Sequence, residues 1–322
     1  MTKTHNQQSF LHYITNLTTS HNLDNISRTL AYQNFYFQYP EMKWALVASV
    51  VSRNAGWNMT DLSLPPFQGL LSDKELRRLF MTYERANWLI FSDAFPQLLI
   101  YSFSKEFNQP LFHLLYEFNV STFMIDEWNY FWKSNDKERL LNALIINEQN
   151  LIQSPVIEQP FFKAQVFRSF PYLMQNFLLM NAVLLPNRKG KLHGFFVHGF
   201  TNIDNRIKIG QKIAALIEIP TIYNELIDFL ISIEPTGSRQ EYEQFLNINL
   251  TKSSMLRVLY PVITHQDIIR EDWYKAGGIE TKWLKKPNLS SKLEIGKSFY
   301  IKRKILFAYY HIKKIYKKDL YQ

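Results

Sequence analysis

Residues 39–62, YPEMKWALVASVVSRNAGWNMTDL, constrain this chain most, because a nearly unbroken apolar run ends in a crowd of polar side chains. Pro40 stands where a helix can dispense with an amide proton, and Glu41 follows where the positive helix end favours a carboxylate, so a helix is expected to start there. Trp44, Val47, Ala48 and Val51 fall at helical spacing, while Leu46 and Val50 cover much of the opposite side. A helix apolar on nearly every side belongs inside a core. Ala45, Ala48, Ser49 and Ser52 make a strip of small residues against which a neighbouring backbone can lie, and Asn54 and Gly56 offer the helix an end.

The polar crowd is Arg53, Asn54, Trp57, Asn58, Thr60 and Asp61. One reading is a structural corner in which Asp61 or Asn58 satisfies Arg53. The other is a ligand-binding corner built from Arg53, Asn54, Trp57, Asn58 and Asp61. A second polar concentration, HGFFVHGFTN at 193–202, leads into a helix capped by Thr201 or Asn202 with Arg206 one turn inside. Its glycines do not follow the nucleotide-binding order, and His193 and His198 are not one helical turn apart and have no acidic cluster beside them, so neither a metal nor a cofactor is expected. In PTGSRQEYE at 235–243, Ser238 and Glu241 read as a capping box, which leaves Arg239 unexplained: buried it needs an acid, exposed it can hold an anion. His265-Gln266-Asp267 and Asp272-Trp273 form a further polar and aromatic corner without the spacing of a catalytic triad.

Helical periodicity recurs along the chain. Ser72-Asp73-Lys74-Glu75 is a capping box, and helical patterns follow over 95–107, 110–118, 122–132 and 135–146, the last with Asn135 as N-cap; strand alternation is hard to find. Leu64-Pro65-Pro66 reads as an extended connection, and residues 161–185 read as one long apolar helix. The expectation is a mainly α protein, a multi-helix globular bundle over residues 5–284 with an internal boundary near 150–160, followed by a basic amphipathic segment, 285–322.

Charge supports that division. The last 38 residues hold 11 Lys or Arg and 2 acids, leaving 26 of each in the first 284, so the whole net charge of +9 sits at the carboxyl end. Ile301, Ile305, Ala308, Ile312 and Ile315 line one face of a helix there, with Lys302, Arg303, Lys313, Lys314, Lys317 and Lys318 opposite. Either the isoleucine face docks on the body, or the helix meets an anionic membrane surface or an acidic protein partner. Nucleic acid ranks lower because the body is neutral. The absence of cysteine excludes disulfides and thiolate chemistry, the first residues lack the pattern of a secretory leader, and the most apolar run, 177–185, is too short to span a bilayer, so a cytoplasmic protein, peripheral at a membrane if it meets one, is expected.

The segments RTLAYQNFYFQYPEMKWALVASVVSRNAGWNMTDL, HGFTNIDNRIKIGQ, PTGSRQEYE and YPVITH before Asp272-Trp273, in that order, resemble the YppC-like family of bacillus-type bacteria, a domain of unknown function. The resemblance implies a bacterial cytosolic protein and carries no activity or site residue with it. From the residues themselves the leading reading is a non-catalytic binding or adaptor protein. The alternative is a small-molecule enzyme or ligand sensor whose site gathers the Arg53–Asp61 corner, His198, Arg206 and Arg239.

Overall fold

The computed structural model describes residues 2–169, 172–173, 181–266, 270–275, 278–285, 287 and 295–319, with side chains from 7 to 315 within these ranges. It is mainly helical. Helix α1 (Thr2–His21) is followed by α2 (Asn25–Gln38), whose cap Asp24 accepts from the Ser27 amide, and by α3 (Lys43–Asp61). The last begins after Pro40 rather than at it, and it runs through Asn54 and Gly56 to the end of the polar crowd. Gly56 serves contact instead of capping: a Cβ there would lie 3.3 Å from the Gly237 Cα, so the turn at 235–238 can lie against the helix.

The two prolines at 65 and 66 open a short helix, α4 (Pro65–Leu70), where an extended link was expected, because a missing amide proton is harmless in a first turn. The Ser72 and Glu75 capping box then starts α5 (Asp73–Glu106), which passes through Pro96 and so joins two segments that read as separate helices. A 3-10 turn (Phe112–Phe118) leads to α6 (Thr122–Ser134) and α7 (Lys137–Leu151), whose N-cap is Asp136 and not Asn135; Asn135 instead ends α6 at φ 55°. Around 150–160 the chain winds into a π-turn (Gln153–Ile157) that buries Val156 and Ile157 with Ala86, Leu89, Val166 and Phe167.

The stretch expected as one long helix is short turns near 160–167 and then a strand, β1 (Ala182–Leu185); positions 170, 171 and 174–180 lie outside the described residues, and with them the first four residues of the apolar run 177–185. Strand β1 pairs antiparallel with β2 (His193–Phe196), with Ala182 opposite Phe196 and Leu185 opposite His193. Gly194 takes φ 149°, and a Cβ on it would collide with the Val183 carbonyl, so this hairpin requires glycine there.

Helices α8 (Ile203–Ile217, capped by Asn202), α9 (Pro220–Ser232) and the single turn α10 (Gln240–Glu243) follow, and α11 (Ser298–Asp319) closes the chain. One core cluster extends from Ile14 to Tyr300 and includes Trp44, Trp57, Leu184 and Phe229, so α3 runs through its middle and the start of α11 belongs to it. No helix among the described residues is long and apolar enough to cross a membrane.

Candidate functional site

Helix α3 presents two chemically different sides. On one, Arg53, Trp57 and Asp61 follow one another at four-residue spacing towards α9, α10 and α11. The Arg53 Nε donates to Glu241 at 2.5 Å and its Nη2 to the Ile233 carbonyl at 2.6 Å, with the guanidinium over the Phe229 ring. Asp61 accepts from Arg239 at 2.9 Å and from Arg303 of α11 at 2.7 Å. Arg239 also donates to Asn58 at 2.7 Å and lies against the Trp57 and Phe299 rings. Burial alone would raise the Asp61 carboxyl, but Arg239 and Arg303 outweigh it and hold it below the usual carboxylate range. Glu243, 3.9 Å from Arg303, is pushed up by burial.

Asn54 is used by the hairpin. Its amide donates to the Leu184 carbonyl at 2.8 Å and its oxygen accepts from the Leu184 amide at 2.9 Å, so one side chain supplies β1 with the pairing of a third strand. Glu241 is likewise a turn-builder, accepting from the Thr236 amide and hydroxyl at 2.6 and 2.9 Å while it holds Arg53.

The other side of α3, through Val47, Ala48, Val51, Ser52, Ala55 and Asn58, faces a cavity of about 190 Å³ between α2, α5, α7 and the hairpin. Aliphatic and aromatic groups make most of its wall, including Ile90, Val166, Phe167, Val183 and Phe200. Glu148 of α7 and Tyr32 of α2 also line it. The Tyr32 hydroxyl is buried with no hydrogen-bond partner, and Glu148 accepts from Gln149 at 2.8 Å. Burial pushes the Glu148 carboxyl up to about 7, opposed only in part by Gln149 and Trp44. Arg28, also in the wall, is fully committed: it donates to both Glu84 oxygens at 2.5 and 2.9 Å, to the Asn22 side chain and carbonyl, and to Asn25. His265 lies 3.2 Å from the same Glu84.

On α11 the buried residues are Phe299, Tyr300, Arg303 and Phe307, while Ile301, Ile305, Ile312 and Ile315 are each more than half exposed. The tail therefore docks by an aromatic and arginine face, the reverse of docking by its isoleucines. Arg303, expected on the exposed basic face, is 5% exposed because Asp61 draws it inward. Lys302 lies 4.5 Å from the centre of the Phe196 ring, and Lys314 is exposed. The side chains of Lys317 and Lys318 lie outside the described residues.

A family model described as Protein of unknown function (DUF2515) matches residues 20–301. The chain belongs to this family. It is also 42% identical over 302 residues, 94% of each chain, to the Uncharacterized protein YppC of Bacillus subtilis (strain 168). No solved structure matches it.

The DUF2515 match thus covers α2 to α10 and ends one turn into α11. Within it the corner residues separate. Arg53, Trp57, Asn58, Asp61 and Arg239 meet in the ionic cluster, and Asn58 also reaches the cavity wall. Arg206 belongs to a different knot, donating to Gln149, Gln153 and the Phe200 carbonyl, and burial lowers its guanidinium to about 10. His198 is exposed in the segment after β2. Among the described residues no group of His, Cys, Asp and Glu is arranged to hold a metal. Tyr32, Glu148 and Glu84 went unnoticed in the sequence: Glu148 reads as the polar end of α7, and the one signal was a carboxylate directly after the apolar run LIIN.

Proposed function

We propose that this DUF2515 chain is a non-catalytic cytoplasmic binding protein that attaches reversibly to an anionic lipid surface through α11. One observation carries the reading: four isoleucines stand exposed on a helix already anchored to the body by its other side. At about 100° per residue, Lys304 flanks the stripe on one edge and Lys302 and Lys313 lie on the other. Apolar residues between two basic edges suit the interface of an acidic bilayer, where burial of the stripe adds to about 1 kcal/mol per nearby lysine.

The spacing of 301, 305, 308, 312 and 315 also fits a coiled-coil seam with a second copy. Lysines on both edges of that seam would then face lysines, which favours an anionic surface over self-pairing. The non-catalytic half of the reading is supported by the arginines and acids of the α3 corner, which are engaged with one another.

Sedimentation of the full chain with phosphatidylglycerol and phosphatidylcholine vesicles tests this. Binding to the acidic vesicles alone, weakened by salt and by Ile305→Ser with Ile312→Ser, is expected. Equal binding to both vesicle types, or unchanged binding of the double variant, overturns the lipid reading; a shift to dimers at rising concentration would assign the stripe to a second copy.

A further inference from the structure

Every acid whose residue is buried among the described residues has an arginine within 3.9 Å: Asp24 has Arg257, Asp61 has Arg239 and Arg303, Glu84 has Arg28, Asp93 has Arg270, Glu127 has Arg139, Glu241 has Arg53 and Glu243 has Arg303. Glu148, half-buried, has no arginine among the groups that act on its carboxyl. It stands in the wall of the cavity beside α3, and the groups acting on its carboxyl are the Gln149 amide and the Trp44 indole, both neutral. The lining also includes Tyr32, a residue only 3% exposed whose hydroxyl is buried and unpartnered.

We propose that this cavity is a binding site for a small primary amine with an apolar body, whose ammonium group supplies the cation that Glu148 lacks and donates to the Tyr32 oxygen. An ammonium carries three donors and no acceptor, which matches a carboxylate and a phenolic lone pair. A neutral alcohol leaves the cost of ionising a half-buried carboxyl uncompensated, and an anion is repelled once the carboxyl ionises. The cavity, about 190 Å³, is somewhat larger than the ~150 Å³ that accommodates benzene in an apolar protein interior, so an aromatic ring with a two-carbon amine arm is of the right size. Phe167, Tyr172 and Phe200 supply ring faces for the apolar part.

The other titratable groups around the site are accounted for. Arg28 is neutralised by Glu84, so it does not oppose a second cation in the wall. Asp93, which acts on Tyr32 from α5, accepts from Gln97 and Asn147 and lies 3.9 Å from Arg270. Arg206, which binds Gln149 from α8, is spread over neutral oxygens. Tyr83 and Tyr172 complete the titratable part of the lining, and burial raises the Tyr172 hydroxyl, so it remains protonated. The proton released on binding therefore comes from Glu148, and amine affinity rises with pH until that carboxyl is ionised, levelling off above about 7.

The site is independent of the lipid reading, and its test uses no membrane. Isothermal titration of the full chain with 2-phenylethylamine, 2-phenylethanol and phenylacetate at pH 5.5, 7 and 8.5 is the experiment. The expected result is amine binding at least 10-fold tighter than that of the alcohol at pH 8.5, with affinity increasing from pH 5.5. Glu148→Gln should abolish both the pH slope and the preference for amine over alcohol. Tyr32→Phe should weaken amine binding and keep the slope, which retains a reading if the Glu148 variant fails to fold. Equal affinity for amine and alcohol at pH 8.5, tighter binding of phenylacetate, no heat with millimolar amine, or an unchanged slope in the Glu148 variant overturns the proposal.

Discussion

Arg303 and Asp61 meet at 2.7 Å, although 242 residues separate them, and both are buried. With Arg239 on the other side of the same carboxylate, this contact joins the last helix to the central one. It also makes α11 part of the folded body and leaves only one of its sides free.

Replacing Asp61 by Asn should destabilise the protein by about 3–5 kcal/mol, because two buried guanidinium groups lose the charge that compensates them. Urea unfolding at pH 7 checks the size. The carboxyl is held below its ordinary value, so its stabilisation is present above the unfolded value of 3.8 and is lost as pH falls through the folded one. The gap between wild type and D61N should accordingly narrow in acid.

Asn54→Asp should cost more than Asn54→Ala. The alanine variant leaves the Leu184 amide and carbonyl without their partners, an effect of about 1–3 kcal/mol. The aspartate keeps the acceptor for the amide but places a second acceptor against the Leu184 and Val50 carbonyls, where the native amide donates. Thermal unfolding of the two variants in parallel gives the order.

The two sides of α11 should respond differently to truncation. Phe299 is 2% exposed, and Phe299→Ala should cost about 3–5 kcal/mol. Ile305 is 62% exposed, and Ile305→Ser should change stability by no more than about 0.5 kcal/mol. Equal losses in urea unfolding would mean that the isoleucine side is the docked one.

The central helix was readable because Trp44, Val47, Ala48 and Val51 repeat at the period of a helix, and the capping box at Ser72 announced α5. The end of α3 was not readable, since Gly56 is chosen for the approach of Gly237, a residue known to be near only once the chain is folded. The hairpin escaped because AVLL and HGFF are four-residue strands with no alternation, and β1 takes its third partner from a side chain. In α11 the aligned isoleucines marked an amphipathic helix correctly, but its orientation depends on Arg303 meeting Asp61, a pairing that local pattern does not encode. Arg239 read as needing an acid if buried, and it has one; Glu148 could not be told from an ordinary helix end.

Because Asp61 waits for Arg303, the order in which the ribosome delivers residues matters to this fold. Translation at ~5–20 residues per second separates the two by on the order of 10–50 s, during which the carboxylate has at most Arg239 for a counter-charge. The nascent body is therefore left with an open socket at the end of its central helix, and the helix that carries Arg303 acts as the plug.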